Sequence, residues 1–538
     1  MPALSHSGRL VLAGASALAL GGLVGGFAPM ALAGSLALGG LSLAWVAAAP
    51  LPRRMRRERL EFSWWVLANE DGVRRPDDPV SVRVVLRNPT STALTFSTPR
   101  LALSAGVRYA RDAGARIEVP PRAAVSFDVV VRPAHAGRHV LHGAWLTLGG
   151  PAGLAWVPLY FPNPLVLEVA PRGWAQRPAG SLTRAAVPAG RAGRSQRRLG
   201  EGPELRELRE LRPGDPFKRI AWAPSARRGR LLVRETEDES QATRVLVVDA
   251  SATMRGDDRG RARLDHVVEL VAQAARASAA SGDRLGLVAF DRRVVARVDA
   301  ADGNRHLRAV VATAVELRGV VDDDLTDVDE EGLVEAVARY FREQEGLDAL
   351  RGATGYEARA TLLRWIERAT EGDAAMRLPV RAADGVARTL RAFCRSRCIP
   401  LPIRHDPSGA AKSLGLAHGL RAAVQGAREP RTVMVLTDLD AVAVSDPLRL
   451  AVGALRKARH RVSVVALAGA RFVGAAPAGL RGDVAAARAA VEEVFLAEEQ
   501  ARLARHRAWL GSCGVPVFVA TGAEPMAHWL RRAAAPKV

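Results

Sequence analysis

Three patterns of apolar and polar positions follow one another along the chain. Residues 10–27 and 30–49 are uncharged apolar spans, each long enough to cross a bilayer as a helix. Only Ala28 and Pro29 separate them, so the pair predicts a tight helical hairpin. From about residue 60 to 170 the pattern shortens to alternating stretches such as Val80-Ser-Val-Arg-Val-Val-Leu86 and Val125-Ser-Phe-Asp-Val-Val-Val131. Turn clusters at Asn88-Pro89-Thr90 and Pro120-Pro121 split them, and that spacing predicts a small antiparallel β-sandwich. From 244 to 538, Val-rich runs alternate with segments of helical period such as Leu264-Asp-His-Val-Val-Glu-Leu-Val271. Continuous apolar strands are buried on both faces, which predicts an α/β domain with a doubly wound, mostly parallel sheet. An insertion at about 322–431 interrupts that pattern.

Charge orients the hairpin. Arg53, Arg54, Arg56, Arg57 and Arg59 follow it directly, and such a block stays on the cytoplasmic side. Both ends of the hairpin are therefore expected on the cytoplasmic side of the membrane, with the bulk of the chain cytoplasmic. A competing reading is a signal-peptidase site at Ala31-Leu-Ala33, which the length of the preceding apolar run opposes. The hairpin and its basic flank make up residues 1–59 and the sandwich 60–170. Residues 171–200 are a basic linker without an acidic residue, either solvated or lying along anionic lipid. The formal net charge is +21, but no nucleic-acid motif accompanies it, and nucleic acid is not expected as a partner. Cys394, Cys398 and Cys513 form no disulfide framework and suit a reducing compartment. With only His405 near the first two, zinc lacks ligands, and core thiols are expected.

Candidate chemistry concentrates where two apolar runs end in carboxylates. Val245-Leu-Val-Val248 leads into Asp249-Ala-Ser251-Ala-Thr253, and Thr432-Val-Met-Val-Leu-Thr437 leads into Asp438-Leu-Asp440. Ligands of open α/β sheets bind past the carboxyl ends of the strands. Asp249, Ser251 and Thr253 offer a carboxylate and two hydroxyls, an oxygen set suited to Mg²⁺. The plainer alternative is a strand-to-helix turn with an Asx cap. The order of strand, Asp-x-Ser-x-Thr and helix resembles the metal-ion-dependent adhesion site of von Willebrand factor A domains. That resemblance implies a von Willebrand A-like domain over 244–538, with Mg²⁺ held by Asp249, Ser251, Thr253 and Asp438. It also implies a coordination position open to a partner's carboxylate, and a threonine from a further loop. Thr326 or the segment Ser408-Gly-Ala-Ala-Lys412 is the candidate for that loop, neither in the usual Gly-Gly-Thr setting. Lys412, if it lies at the site, puts an ammonium where the cation would be.

Residues 201–243 mix Arg and Glu densely, with a turn at Pro213-Gly214-Asp215. The string from Gly202-Pro-Glu204 through Pro213-Gly-Asp215 to Arg219-Ile220-Ala-Trp222 resembles the signature of the bacterial family called domain of unknown function 58. The resemblance implies paired membrane helices, a β-rich segment and a von Willebrand A-like domain. Relatives neighbour MoxR-type AAA+ ATPases, which implies a membrane-anchored scaffold or docking protein acting with such an ATPase in assembly or maturation of protein complexes. No catalytic residue is expected on that reading. The rival reading is a phosphoryl-transfer enzyme of haloacid-dehalogenase-like type with Asp249 as nucleophile. Its Asp-x-Asp-x-Thr motif differs here at Ser251, which cannot serve as general acid near neutral pH. A phosphate-binding Gly-x-x-x-x-Gly-Lys-Ser/Thr loop, a Gly-x-Ser-x-Gly elbow and a His-Glu-x-x-His helix are all missing.

Overall fold

The computed structural model describes the chain apart from residues 1, 58–59, 69–71, 98, 111–115, 175–197, 201–203, 212–216, 218–219, 239–240, 257–261, 349, 351, 353, 441, 469–481, 521–523 and 535–538. Most of the basic linker and the Pro213-Gly214-Asp215 turn thus lie outside the described residues. The chain divides into two compact units. One gathers Met1–Pro171 and Gly319–Arg404; the other gathers Arg172–Asp257, Arg261–Arg318 and His405–Val538.

In the first unit, helices His6–Val24 and Ala28–Ala48 are both long and apolar enough to cross a membrane. They meet on small residues. A Cβ on Gly34 would stand 2.4 Å from the Ala19 nitrogen, and one on Gly22 would stand 2.3 Å from that of Ala31. Small side chains are what let apolar helices approach this closely. Strand Ala3–Leu4 pairs with Ala155 and Trp156, while Ala48 and Met55 join a core containing Leu86, Phe96 and Leu146. Both ends of the hairpin therefore meet the β-rich part.

That part is two antiparallel sheets. Glu61–Val66, Val80–Arg87, Ala124–Pro133 and Val107–Tyr109 form one, and the other is built on Gly137–Gly149 and Ala155–Val169. The period-two pattern turns Val80, Val82 and Val84 inward, where they share a core with Leu101, Leu141 and Leu167 of the second sheet. On the outer face Arg83 donates two hydrogen bonds to Asp128, directly opposite it across the strands.

The segment Gly319–Arg404 is helical and packs in this same unit, around Leu333, Phe341, Leu362 and Phe393. Arg138 of the sandwich makes a two-pronged contact with Asp373, and the His142 ring meets the Tyr340 hydroxyl at 3.2 Å. Burial lowers the pKa of His142 to about 4, with the Arg397 charge acting the same way. Cys394 is a core thiol, pushed up to about 12 by burial.

The second unit holds a three-stranded antiparallel sheet, in the order Arg198–Gly200, Leu232–Asp238, Glu204–Glu210, and a six-stranded sheet. The strand order of the six-stranded sheet is Val294–Ala301, Arg284–Phe290, Thr243–Asp249, Thr432–Thr437, Arg461–Leu467, Val517–Ala520. All neighbours are parallel except the first pair. The continuous apolar runs follow from cover on both faces. Val245, Val247, Val433 and Val435 pack with Leu416, Leu420, Leu448 and Val452 of helices Ala410–Val424 and Asp446–Lys457. Helix Arg263–Ser281 contacts the Thr243–Asp249 and Arg284–Phe290 strands, and its own Leu264, Val267 and Val271 are buried. The chain is thus mixed α/β, with antiparallel sheets and two apolar N-terminal helices.

Candidate functional site

The two strands that end in carboxylates are adjacent and parallel, with Val248 opposite Leu436. Strand order reverses between them. The chain leaves Asp249 toward the Arg284–Phe290 strand on one side, and the later strands lie on the other. A reversal of this kind opens a crevice at the carboxyl ends, where side chains and ligands collect.

All four residues singled out from the sequence meet there. Asp249 is fully buried; one carboxylate oxygen accepts the Ser251 N–H at 3.0 Å, and the other accepts the Thr437 hydroxyl at 2.5 Å. The hydroxyls of Ser251 and Thr253 lie 3.1 Å apart. Asp438 follows the second strand and accepts the Asp440 N–H at 2.9 Å. Leu439 between them takes φ +56° with its side chain buried, a left-handed conformation costly for a branched residue and held by its surroundings.

Lys412 lies in the middle. Its ammonium is 2.8 Å from Asp249 Oδ2, 2.6 Å from Asp438 Oδ1 and 3.0 Å from Thr253 Oγ1. Arg263 holds the far oxygen of Asp438 at 2.5 Å and lies 3.8 Å from Glu499. The result is a buried chain of alternating charge: Asp249, Lys412, Asp438, Arg263, Glu499. Burial opposes the charge on Lys412, but the two carboxylates more than offset it and hold its pKa above the ordinary lysine value. Burial likewise opposes ionisation of Asp438, yet Lys412 and Arg263 keep its carboxyl below the usual range. Asp291, one residue past the Arg284–Phe290 strand, behaves oppositely. Burial raises it to about 6, the Asp249 charge adds to the rise, and Arg255, Arg292 and Lys412 pull against it.

The Lys412 helix can lie this low over the sheet because two of its residues lack side chains. A Cβ on Gly415 would stand 1.7 Å from the Asp291 carbonyl oxygen, and one on Gly419 would stand 3.3 Å from Val247. Gly415 is one turn beyond Lys412, so its close approach sets how far the ammonium reaches. Gly415→Ala is expected to cost about 1–3 kcal/mol by overpacking against backbone that cannot yield. Denaturant midpoints of the full-length protein in detergent check this, and an unchanged midpoint would show that the helix shifts freely.

The donor set argues against a resident Mg²⁺. The ammonium stands where a cation shared by Asp249 and Asp438 would stand, and a guanidinium holds the remaining Asp438 oxygen. Among the described residues, no group of three or more His, Cys, Asp or Glu is placed to hold a metal. Thr326 does not contribute. It belongs to the first unit, where its hydroxyl donates to the Asp322 carbonyl and accepts from Arg391 at 2.6 Å.

Arg263, Thr437 and Glu499 were not singled out from the sequence as site residues. A faint signal existed for the arginine. A cation in the first turn of a helix opposes the helix dipole, and a buried one there needs a carboxylate.

Residues 207–338 match the family described as Protein of unknown function DUF58. Over that segment the chain is similar to the DUF58 family. The DUF58 match contains Asp249, Ser251, Thr253 and Arg263 but stops before Lys412 and Asp438, so it covers one side of the cluster. Relatives include Uncharacterized protein Rv1480 of Mycobacterium tuberculosis and Uncharacterized protein Mb1516 of Mycobacterium bovis. Each is 30% identical over 114 residues, which is 21% of this chain and 36% of the relative. The chain thus spans little more than a third of these relatives' length. Among solved structures, a FixG-related protein from Vibrio parahaemolyticus aligns over 20% of this chain and 95% of its own at 8% identity, TM-score 0.15. A trypsin-activated alpha-2-macroglobulin from Escherichia coli aligns over 74% and 26% at 12% identity, TM-score 0.16. Similarity this low bears on neither fold nor function.

Proposed function

We propose that this chain is a membrane-anchored docking protein without chemistry of its own, and that residues 244–538, interrupted by an insertion at about 322–431, hold a von Willebrand A-like domain. One observation carries the reading: the polar groups at the sheet's crevice are engaged with one another. Both Asp249 oxygens accept hydrogen bonds inside the cluster, and Asp249 is fully buried. A phosphoryl-accepting aspartate needs an open approach and a nearby general acid. The haloacid-dehalogenase-like alternative therefore has little to favour it.

The sheet order and the carboxylates at adjacent strand ends support the von Willebrand A likeness. The paired apolar helices would hold the protein at the bacterial inner membrane, with the bulk of the chain on the cytoplasmic side. The partner best suited to this arrangement is a MoxR-type AAA+ ATPase, and the role is assembly or maturation of protein complexes.

The test is capture of such an ATPase by the full-length protein in detergent, alongside an assay for phosphate-ester hydrolysis. Capture without hydrolysis is the expected outcome. Hydrolysis that disappears in Asp249→Asn would replace docking with the enzyme reading, and failure to capture the ATPase at micromolar concentrations would remove the assigned partner.

A further inference from the structure

We propose that Lys412 is a tethered cation standing permanently in place of a divalent ion, so that the site is independent of metal, and that removing its ammonium uncovers a latent divalent-cation site. The inference rests on the geometry of the cluster alone and not on the identity of any partner.

A lysine ammonium has three N–H donors and no acceptor. Here all three have a partner, in Asp249 Oδ2, Asp438 Oδ1 and Thr253 Oγ1. Those are a carboxylate from each strand end and a hydroxyl from the short helix Ala252–Arg255 that follows the first strand, the oxygens a hard cation would take. No donor remains for a carboxylate from outside, and the Lys412 side chain is only 5% exposed. The site is therefore filled and also closed.

The placement is not a loose side chain's choice among rotamers. Lys412 sits in the first turn of helix Ala410–Val424, and Gly415 presses that helix onto the Asp291 backbone. Arg263 adds a second fixed cation on the other side of Asp438. An incoming divalent ion would have to displace a buried ammonium and then sit beside a guanidinium. Like charges at contact distance in a low-dielectric site repel strongly. Without the ammonium, Asp438 keeps Arg263 as a counter-charge, while the Ser251 and Thr253 hydroxyls stay in reach. That remainder has the charge and oxygen chemistry for Mg²⁺ or Mn²⁺.

Mn²⁺ binding followed by electron paramagnetic resonance on the full-length protein in detergent tests both halves. Wild type should bind no Mn²⁺ that depends on Asp249, and its melting temperature should be the same in Mg²⁺ and in chelator. Lys412→Ala should gain a Mn²⁺ site, about tenfold or more tighter than anything in wild type, the least expected from removing a like charge at contact distance. Adding Asp249→Asn should abolish the new site. Mn²⁺ bound by wild type and lost in Asp249→Asn alone would overturn metal independence. A folded Lys412→Ala that gains no site would overturn the latent-site half. Should that variant not fold, Lys412→Ser supplies the same readout, and the wild-type measurement decides metal independence by itself.

Discussion

Lys412→Met should destabilise the second unit by about 3–5 kcal/mol, the range for removing one partner of a buried ion pair. The substitution keeps the length and apolar stem of the side chain and deletes only the charge and its three donors. Asp249 is fully buried and Asp438 is 4% exposed, so water cannot take over. Asp249 would keep the Thr437 hydroxyl and the Ser251 N–H, and Asp438 would keep Arg263 and the Asp440 N–H. Neither set replaces a cation lying between the two. Denaturant unfolding of wild type and variant measures the loss, and a double-mutant cycle with Asp249→Asn separates the pair from the packing. A loss below about 1 kcal/mol, the scale of exposed pairs, would mean that solvent reaches the carboxylates.

The cluster's pH window follows from the directions of its shifts. The raised Lys412 pKa contributes stability below the unfolded lysine value and loses it as pH rises through the folded value. The lowered Asp438 pKa contributes above the unfolded carboxyl value and loses it as pH falls through the folded one. Both contributions are present together between about pH 4 and pH 10, the ordinary carboxyl and lysine values.

How much of this was legible in the sequence depends on the range of the interactions. Val245–Val248 and Val433–Leu436 read correctly as buried strands because cover on both faces leaves a continuous apolar run. Asp249 and Asp438 could be placed together because each ends such a run, and strand ends are where α/β sheets collect polar groups. The alternating residues 80–86 and 125–131 gave the antiparallel part for the same local reason, and the apolar hairpin was plain from length alone. The position of Lys412 was not local. It is 163 residues beyond Asp249 in the chain, and only the packing of its helix against Asp291 and Val247 brings it to the site. Gly415 and Gly419, one turn apart, are the residues that permit that close approach. Pairing the N-terminal strand Ala3–Leu4 with residues 155–156 likewise joins segments with no local pattern in common. Thr326 was attractive as a loop threonine among aspartates, but the buried Arg391 that claims its hydroxyl lies 65 residues away.

Asp291→Asn should stabilise the protein at neutral pH and leave it nearly unchanged in acid. The carboxyl is raised to about 6, first by burial and then by the Asp249 charge. A raised acid means the folded protein keeps a proton that the unfolded chain has released, so stability falls as pH climbs from the unfolded value toward 6. The step from the ordinary value of 3.8 to about 6 corresponds to a cost of roughly 3 kcal/mol once the group is ionised in both states. Asparagine has nearly the same shape and never ionises, so it removes that cost. Its effect is absent below about pH 4, grows through pH 5 and levels off above pH 6 to 7. The trend opposes that of Asp438, whose contribution rises with pH over the acid range, so the wild-type profile is flatter than either group alone would make it. The difference between variant and wild type isolates Asp291. Denaturant midpoints at pH 4.0 and pH 7.5 are sufficient to measure it. Equal stabilisation at both values would show that the gain comes from packing, and none at either would show that the Asp291 carboxylate is already well solvated when charged.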